Sequence, residues 1–248
     1  MAEILLKDGE RINQLFSTDV KIIQNREVFS YSVDSVLLSR FPNLPKRGLI
    51  VDLCAGNGAV GLFASTRTQA QIIAVEIQER LADMAQRSIE LNNLTSQMQV
   101  IQDDLKYLTR YISGSKVDMI LCNPPYFKVD EHSNLNASRH YLLARHEIAT
   151  NLEEICQISQ RVLKSNGRLT MVHRPERLLD IIETMTAHNL APKRIQFVYP
   201  KANRKANMLL IEAINDGSRD GLKILPPLFI HNQDGSYTPE IHEIYYGK

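Results

Sequence analysis

Short apolar runs alternate along the chain with segments whose apolar residues recur at helical spacing. The apolar runs predict strands at 48–53, 71–76, 98–102, 117–122 and 168–172. The segments between and after them predict helices at 59–65, 78–92, 104–112, 152–163 and 177–188. Such alternation is typical of repeated β-α units around a mostly parallel sheet, so we expect an α/β fold with helices on both faces.

The pattern changes towards the end of the chain. Two strand-like runs, 194–199 and 208–214, are joined by 200–207, which is too short for a crossover helix, so they should be antiparallel neighbours. The ends, 1–45 and 217–248, show no clear rhythm of helices and strands, and no change of composition marks a second independent domain. We therefore expect one main domain, 46–248, preceded by an N-terminal extension, 1–45, that contributes to its functional site.

Composition narrows the class of protein. The 248 residues are 44% hydrophobic with a net charge of +1, so a surface for nucleic acid must be a local patch. Cys54, Cys122 and Cys156 are odd in number and lie in apolar contexts, which argues against a disulfide framework or a zinc site. No run of 18 apolar residues occurs and the first residues lack the pattern of a signal peptide, so we expect a cytoplasmic protein without a membrane partner.

The most informative stretch is Asn123-Pro124-Pro125-Tyr126, directly after an apolar strand. Proline has no N–H for a strand ladder, so the sheet must stop there and the chain leaves stiffly. The Asn oxygen and a nearby carbonyl can accept hydrogen bonds from an NH2 group, while Tyr126 offers a flat face to a planar ring such as adenine. Taken alone, the stretch is also compatible with an ordinary Pro-Pro turn.

A second motif, around Gly56, Asn57 and Gly58, lies between a predicted strand and a predicted helix. Glycines there let a ligand approach the backbone, and Glu76 follows the next strand, where a carboxylate binds ribose hydroxyls. Asp52 precedes the loop and would repel a pyrophosphate, so it favours a positively charged cofactor, S-adenosylmethionine. A solvated position for Glu76 and a structural role for Asp52 remain as alternatives.

Further cofactor contacts are predicted on both sides of this loop. Asp104 can accept from an adenine amino group while the Leu105 N–H serves a ring nitrogen, although Asp104 also suits a helix N-cap. Asp34 is the N-terminal residue best placed for the methionine end of the cofactor, with capping of a helix at 35–40 as the alternative.

With these motifs in order, the chain resembles class I S-adenosylmethionine-dependent methyltransferases that modify amino groups. Within that class it is similar to the bacterial tRNA adenine-N6 methyltransferases that act on valine tRNA beside the anticodon. The resemblance extends over Glu76-Ile77-Gln78 and Ala144-Arg145-His146-Glu147, while Cys54 and Ala55 replace the commoner Gly and Thr. It implies a seven-stranded sheet with an antiparallel last strand, and it adds Ile77 to the cofactor site.

The resemblance also implies a mechanism. Asn123 and the Pro124 carbonyl would hold the target amino group, Pro125 would stiffen the turn, and Tyr126 with Phe127 would stack on an adenine of a tRNA anticodon loop. Arg145, Lys201 and Arg204 are candidate contacts to RNA, although the last two also suit a solvated turn. His132, His140 and His146 have no cysteine or paired acid to complete a metal site, so we expect no metal.

Three alternatives remain at this stage. A glutamine side chain of a protein presents a similar planar amide, but such enzymes usually have a separate helical domain ahead of the catalytic one, and here about 45 residues precede the first predicted strand. A methyltransferase that acts on a guanine of ribosomal RNA is a closer alternative, because it also modifies nucleic acid. A non-catalytic binding module is disfavoured by the intact glycine loop and Asn123. Oligomeric state stays open.

Overall fold

The computed structural model describes residues 6–15, 17–25, 27, 32–125 and 152–247, and seven strands of five or more residues form its central sheet. These strands are β3 (Leu49–Leu53), β4 (Gln71–Glu76), β5 (Met98–Gln102), β6 (Val117–Cys122), β7 (Leu163–His173), β8 (Leu190–Tyr199) and β9 (Met208–Asn215). They lie in the order β8-β9-β7-β6-β3-β4-β5. β9 is antiparallel to both neighbours, whereas the other pairs in this order are parallel. The predicted α/β fold, with its reversed last strand, is confirmed.

Helices cover both faces of the sheet. They are α2 (Ala59–Ser65), α3 (Glu79–Leu91), α4 (Leu152–Val162) and α5 (Leu178–Ala187), together with two short 3-10 helices, Leu105–Arg110 and Pro175–Arg177. Successive residues of β3 face opposite layers, so Ile50 packs in the layer of α2 while Val51 and Leu53 pack in the layer of α4. The central strands are therefore apolar on both faces, as is usual for parallel strands covered by helices on both sides.

Two strands begin earlier than their apolar runs predict. In β7, Leu163 pairs with Val117 but Arg168 pairs with Met119, so the intervening residues bulge out of the ladder. In β8, the register shifts between Pro192 and Arg194. A bulge removes the need for the proline to donate to the ladder, which is why the strand extends through it.

The N-terminal extension has more regular structure than its sequence indicates. β1 (Glu10–Leu15) and β2 (Val20–Asn25) form an antiparallel hairpin, and α1 spans Val33–Arg40. The hairpin lies on α3, where the Ile23 amide donates to Ser88 Oγ at 3.0 Å. The sequence of 1–45 shows no clear rhythm of helices and strands, and the inference that regular structure is lacking there was wrong. The hairpin is partly apolar on both faces, so its strands do not show a clear alternation of apolar and polar residues.

The C-terminal segment is also ordered into elements that the sequence did not indicate. β10 (Lys223–Ile224) and β11 (Leu228–Phe229) extend the sheet beside β8, and α6 spans Pro239–Tyr246. The Tyr237 ring stacks on Tyr245 at 5.4 Å between centroids. Ser17, in the turn of the N-terminal hairpin, donates to the Tyr245 and Ile244 carbonyls, so both ends of the chain meet.

Candidate active site

The loop between β3 and α2 lies at the carboxyl edge of the sheet and follows an unusual backbone path. Cys54, Gly56 and Gly58 have φ angles of 57°, 58° and 83°. A Cβ on Gly58 would lie 3.1 Å from the Ala85 Cβ, and one on Gly61 would lie 2.6 Å from the Met98 Cε. Gly58 therefore allows the turn and its close packing against α3, and Gly61 allows α2 to pack closely on β5.

Glu76 binds this loop from the end of β4. Its Oε2 accepts from the Gly56 amide at 2.8 Å, and its Oε1 accepts from the Gln78 amide at 2.9 Å. Burial raises the pKa of the carboxyl above its usual value, while these backbone bonds act in the opposite direction. A carboxylate has about four acceptor sites, so the group can also accept from ribose hydroxyls in addition to its backbone donors. This is the position in which the sequence predicted a ribose contact, and the solvated alternative does not fit a side chain so deeply buried.

Asp52 lies behind the loop and is fully buried. Its Oδ2 accepts from the Gly61 amide at 2.9 Å, while Oδ1 has no hydrogen-bond partner among the residues that the structure describes. Burial, with a smaller contribution from the negative charge of Glu76, raises its pKa to about 7. The contact with Gly61 supports the structural role kept open above. The unmatched oxygen is still compatible with a positively charged ligand on the other side of the loop.

The Asn57 side chain has a partner within the protein. Its side chain is 1% exposed, and Nδ2 donates to the Ile23 carbonyl of β2 at 3.0 Å. The side chain therefore fastens the loop to the N-terminal hairpin. The partner is a backbone atom far away in sequence, so no sequence signal could have identified it. A cofactor contact through the Asn57 backbone stays a prediction.

The neighbouring strand ends contribute further groups. The Ile77 side chain is 42% exposed directly after Glu76, which makes it available to a flat ring. Asp104 Oδ1 accepts from the Lys106 amide at 3.0 Å, so it caps the following 3-10 helix as the alternative proposed. The Leu105 side chain is buried, and a ligand contact there would use the backbone.

Asn123 follows β6, which pairs directly with β3, so it lies one strand away from the glycine loop. Its Nδ2 donates to Ser35 Oγ in α1 at 3.3 Å. Pro124 is buried and Pro125 is half-buried. The predicted residues Tyr126, Phe127 and Arg145 lie outside the described residues. The sheet thus brings Asn123 and Glu76 to one edge, as parallel strand ends predict.

The remaining predicted residues lie at different distances from Asn123. Asp34 lies in the first turn of α1, next to Ser35. Lys201 and Arg204 lie in the connection between β8 and β9, at the same edge of the sheet, but β8 is three strands from β6, or about 14 Å. Lys201 Nζ donates to the Gln233 carbonyl at 3.2 Å, and Arg204 is exposed.

Residues 19–188 match the family described as methyltransferase small domain. The chain belongs to this family. That match covers more than half of the chain, including the glycine loop, Glu76 and the Asn123 stretch, so the protein is a methyltransferase and the enzyme class predicted from the sequence is confirmed.

Proteins similar to this chain include two that are named tRNA1(Val) (adenine(37)-N6)-methyltransferase. The one from Shewanella woodyi is 25% identical over 216 residues, covering 85% of this chain and 88% of the relative. The one from Porphyromonas gingivalis is 26% identical over 215 residues, covering 84% of this chain and 83% of the relative.

Solved structures confirm the methyltransferase fold. A predicted O-methyltransferase from Agrobacterium tumefaciens superposes with a TM-score of 0.68 at 23% identity, covering 86% of this chain and 96% of the other. A putative transferase from Pyrococcus horikoshii gives 0.60 at 15% identity, covering 85% and 74%.

Metal-binding and membrane-spanning features are absent from the part of the chain that the structure describes. No group of three or more His, Cys, Asp and Glu residues is arranged to hold a metal ion there. None of the helices in those ranges is long and apolar enough to cross a membrane. The His132, His140 and His146 considered as ligands lie outside the described residues.

Proposed function

We propose that this methyltransferase transfers a methyl group from S-adenosylmethionine to the N6 amino group of an adenine in tRNA. The observation on which this rests is the position of Asn123, one strand from the glycine loop and at the same edge as Glu76. A planar amino group held by Asn123 would lie beside a cofactor held by the loop. The two relatives named above, similar over most of their length, support adenine in tRNA as the acceptor.

The donor half of the site suits this cofactor. Glu76 would accept from the two ribose hydroxyls while it holds the Gly56 amide. Ile77 would cover one face of the adenine ring, with the Leu105 backbone at its edge. Asp52 would favour the positive charge of the ligand from behind the loop, and Asp34 would lie towards the amino acid end. When bound, S-adenosylmethionine supplies an electrophilic methyl group on a positively charged sulfur.

The acceptor half aligns a nucleophile. The Asn123 oxygen and the Pro124 carbonyl would accept the two amino hydrogens, which leaves the nitrogen lone pair directed at the methyl group. The site would need no strong base, because the nitrogen would gain positive charge as the new N–C bond formed and the bond between the sulfur and the methyl group broke. The proton of the nitrogen would then leave to water. Alignment and exclusion of water are therefore the main contributions of these residues.

Recognition of the RNA would use the residues after Pro125. Tyr126 and Phe127 would stack on the target base, which is easily displaced in a single-stranded loop. Arg145, Lys201 and Arg204 would contact phosphates. Because the β8–β9 connection lies about 14 Å from β6, its contacts would be to nucleotides flanking the target rather than to the target itself.

Transfer of labelled methyl groups tests the proposal. The enzyme is incubated with labelled S-adenosylmethionine and, separately, unmodified valine tRNA transcript, ribosomal RNA and protein extract, and the products are digested to nucleosides or amino acids. We expect label in N6-methyladenosine from the tRNA and its loss when the adenine at position 37, the position in the relatives' name, is replaced by guanine. Label in guanine of ribosomal RNA, or in glutamine, would overturn the substrate assignment.

A further inference from the structure

We propose that the Tyr107–Arg110 surface is a stacking platform for an unpaired base of the RNA. This surface consists of Tyr107, Arg110 and Tyr111, within and directly after the 3-10 helix Leu105–Arg110. The inference rests on the proposed function, and it adds a contact to the substrate that the sequence did not indicate. It starts from two exposed aromatic residues, since Tyr107 is 36% exposed and Tyr111 is 52% exposed.

The central feature of this surface is a guanidinium that lies over an aromatic ring. The guanidinium carbon of Arg110 is 3.9 Å from the centroid of the Tyr107 ring. Residues three apart in a 3-10 helix lie one above the other, which brings these two side chains together. A guanidinium so close to a ring stacks on its face, and because Arg110 is exposed, its other face is open to solvent. Unpaired RNA bases stack on guanidinium planes and aromatic rings of this kind.

The charges around the surface favour stacking over attraction for phosphate. Asp104 pairs with Lys106 at 2.6 Å, and Asp103 accepts from the Tyr111 hydroxyl at 2.8 Å. Two acidic side chains thus accompany two basic ones, so this part of the chain has no excess of positive charge. Among the described residues, no carboxylate forms an ion pair with Arg110. Its plane is therefore available to a base, while the neighbouring acids disfavour a simple phosphate site.

The position of the surface in the sheet suits a loop of RNA. In the strand order β8-β9-β7-β6-β3-β4-β5, the strand before Asn123 is β6, with three strands on each side. β8, which precedes Lys201 and Arg204, lies about 14 Å from β6 on one side, and β5 lies equally far on the other. An RNA loop with its target base at Asn123 would therefore meet one flank with the nucleotides before that base and the other flank with those after it.

The side chains of the surface are directed towards the edge where the substrate would enter. The 3-10 helix begins at Leu105, soon after the carboxyl end of β5. Helical side chains tilt towards the start of their helix. Arg110 accordingly reaches back to Tyr107, and the Tyr111 hydroxyl reaches back to Asp103. The surface is thus presented at the same edge of the sheet as the acceptor site.

Replacement of Arg110 by lysine separates stacking from charge, because lysine keeps the charge but has no planar group. We expect both Arg110→Lys and Arg110→Ala to raise the KM for valine tRNA transcript about 10-fold, the size of one base stack. kcat at saturating tRNA and affinity for S-adenosylmethionine should stay within about 2-fold. Arg161, exposed in the last turn of α4, is the matched control, and Arg161→Lys should keep the native KM.

The lysine variant also gives the result that would overturn the inference. A native KM in Arg110→Lys, with a raised KM in Arg110→Ala, would mean that Arg110 contacts a phosphate and does not stack on a base. The ratio of KM between Arg110→Lys and the native enzyme should be the same at low and high salt, because the charge is unchanged. A ratio that falls to one at high salt would contradict stacking in the same way.

Binding without methyl transfer keeps this test independent of the proposed function. The transcript is labelled with a fluorophore, and its binding is followed by anisotropy in the absence of S-adenosylmethionine. Arg110→Lys should bind about 10-fold more weakly than Arg161→Lys, also when adenine 37 is replaced by guanine, since the platform takes a flanking base.

Equal binding by the two lysine variants contradicts the inference, whichever molecule accepts the methyl group. If the difference in binding is present but the native enzyme transfers no methyl group to tRNA, the proposed function is rejected and the platform is retained. The two failures are therefore distinguishable.

Discussion

The two halves of the candidate site differ in how they are held. Three side chains fasten the donor half by bonds of 2.8 to 3.0 Å, from Glu76 to Gly56, from Asp52 to Gly61 and from Asn57 to Ile23. In the acceptor half, Asn123 meets Ser35 at 3.3 Å, and Arg204 is exposed. A small cofactor can be enclosed by a preformed loop, whereas a large substrate must be admitted. This contrast predicts that changes in the donor half alter cofactor affinity, and that changes in the acceptor half alter transfer or RNA binding.

The strongest test of this contrast is Asn123→Ala. Loss of the Asn123 oxygen should lower the rate of methyl transfer about 100-fold or more. The amino group of the substrate then has no hydrogen-bond acceptor there to align it in the transition state. Affinity for S-adenosylmethionine in calorimetry should stay within about 2-fold. Asn232→Ala, at an exposed turn, is the control and should behave as the native protein. A large loss of cofactor affinity in Asn123→Ala would mean that the two halves are not separable.

Glu76→Ala should have the opposite profile. Removal of two hydrogen bonds between a carboxylate and ribose hydroxyls should weaken binding of S-adenosylmethionine about 100-fold, as measured by calorimetry. Glu76→Gln keeps one acceptor oxygen and should lose about 10-fold. Binding of RNA in the absence of cofactor should not change. Native cofactor affinity in Glu76→Ala would remove this residue from the donor half.

The pKa of Asp52 predicts a smaller effect within the donor half. Because burial raises this pKa to about 7, the carboxyl is mostly neutral at pH 6 and mostly ionised at pH 8. A cationic ligand favours the ionised form, so affinity for S-adenosylmethionine should increase about 5-fold between these values. Asp52→Asn cannot ionise and should lose that increase, which separates it from titration of the ligand. An identical pH profile in both proteins contradicts the prediction.

The smallest effect is expected from the edge of the acceptor half. Arg204→Ala should raise the KM for tRNA about 2-fold at low salt, and the difference should disappear at high salt, because a phosphate contact is screened. Arg47→Ala is the matched control, since Arg47 is exposed just before β3, at the opposite end of the strands. If both variants change KM equally, the β8–β9 connection has no special role in RNA binding.

The sequence predicted the sheet well because the signals for β3 to β9 are local. The apolar run of each strand and the glycines after Leu53 can be recognised in the sequence without knowledge of the fold. The hairpin of β1 and β2 was missed because its apolar residues lie on both faces and do not alternate regularly with polar ones. Ile23 packs against α3, whereas Leu15, Val20 and Ile22 pack in the layer of α2.

The site also combines features that local sequence predicts with features that tertiary packing sets. Glu76 was placed by its spacing from Gly56, whereas the partners of Asn57 and Asn123 are set by tertiary packing. Ser35 is 88 residues away from Asn123. Nothing in the chemistry of a serine near the start of a helix identifies such a partner, so this contact could be found in the structure alone.

The strand order also has a consequence for synthesis on the ribosome. β3 pairs with β4 on one side and with β6 on the other, but β6 is translated after β5. Until Val117–Cys122 has left the exit tunnel, the apolar edge of β3 has no neighbour on that side. Unpaired edges of this kind promote association between chains, so truncations that end before β6 should aggregate. The glycine loop is thus synthesised well before the second strand that pairs with β3.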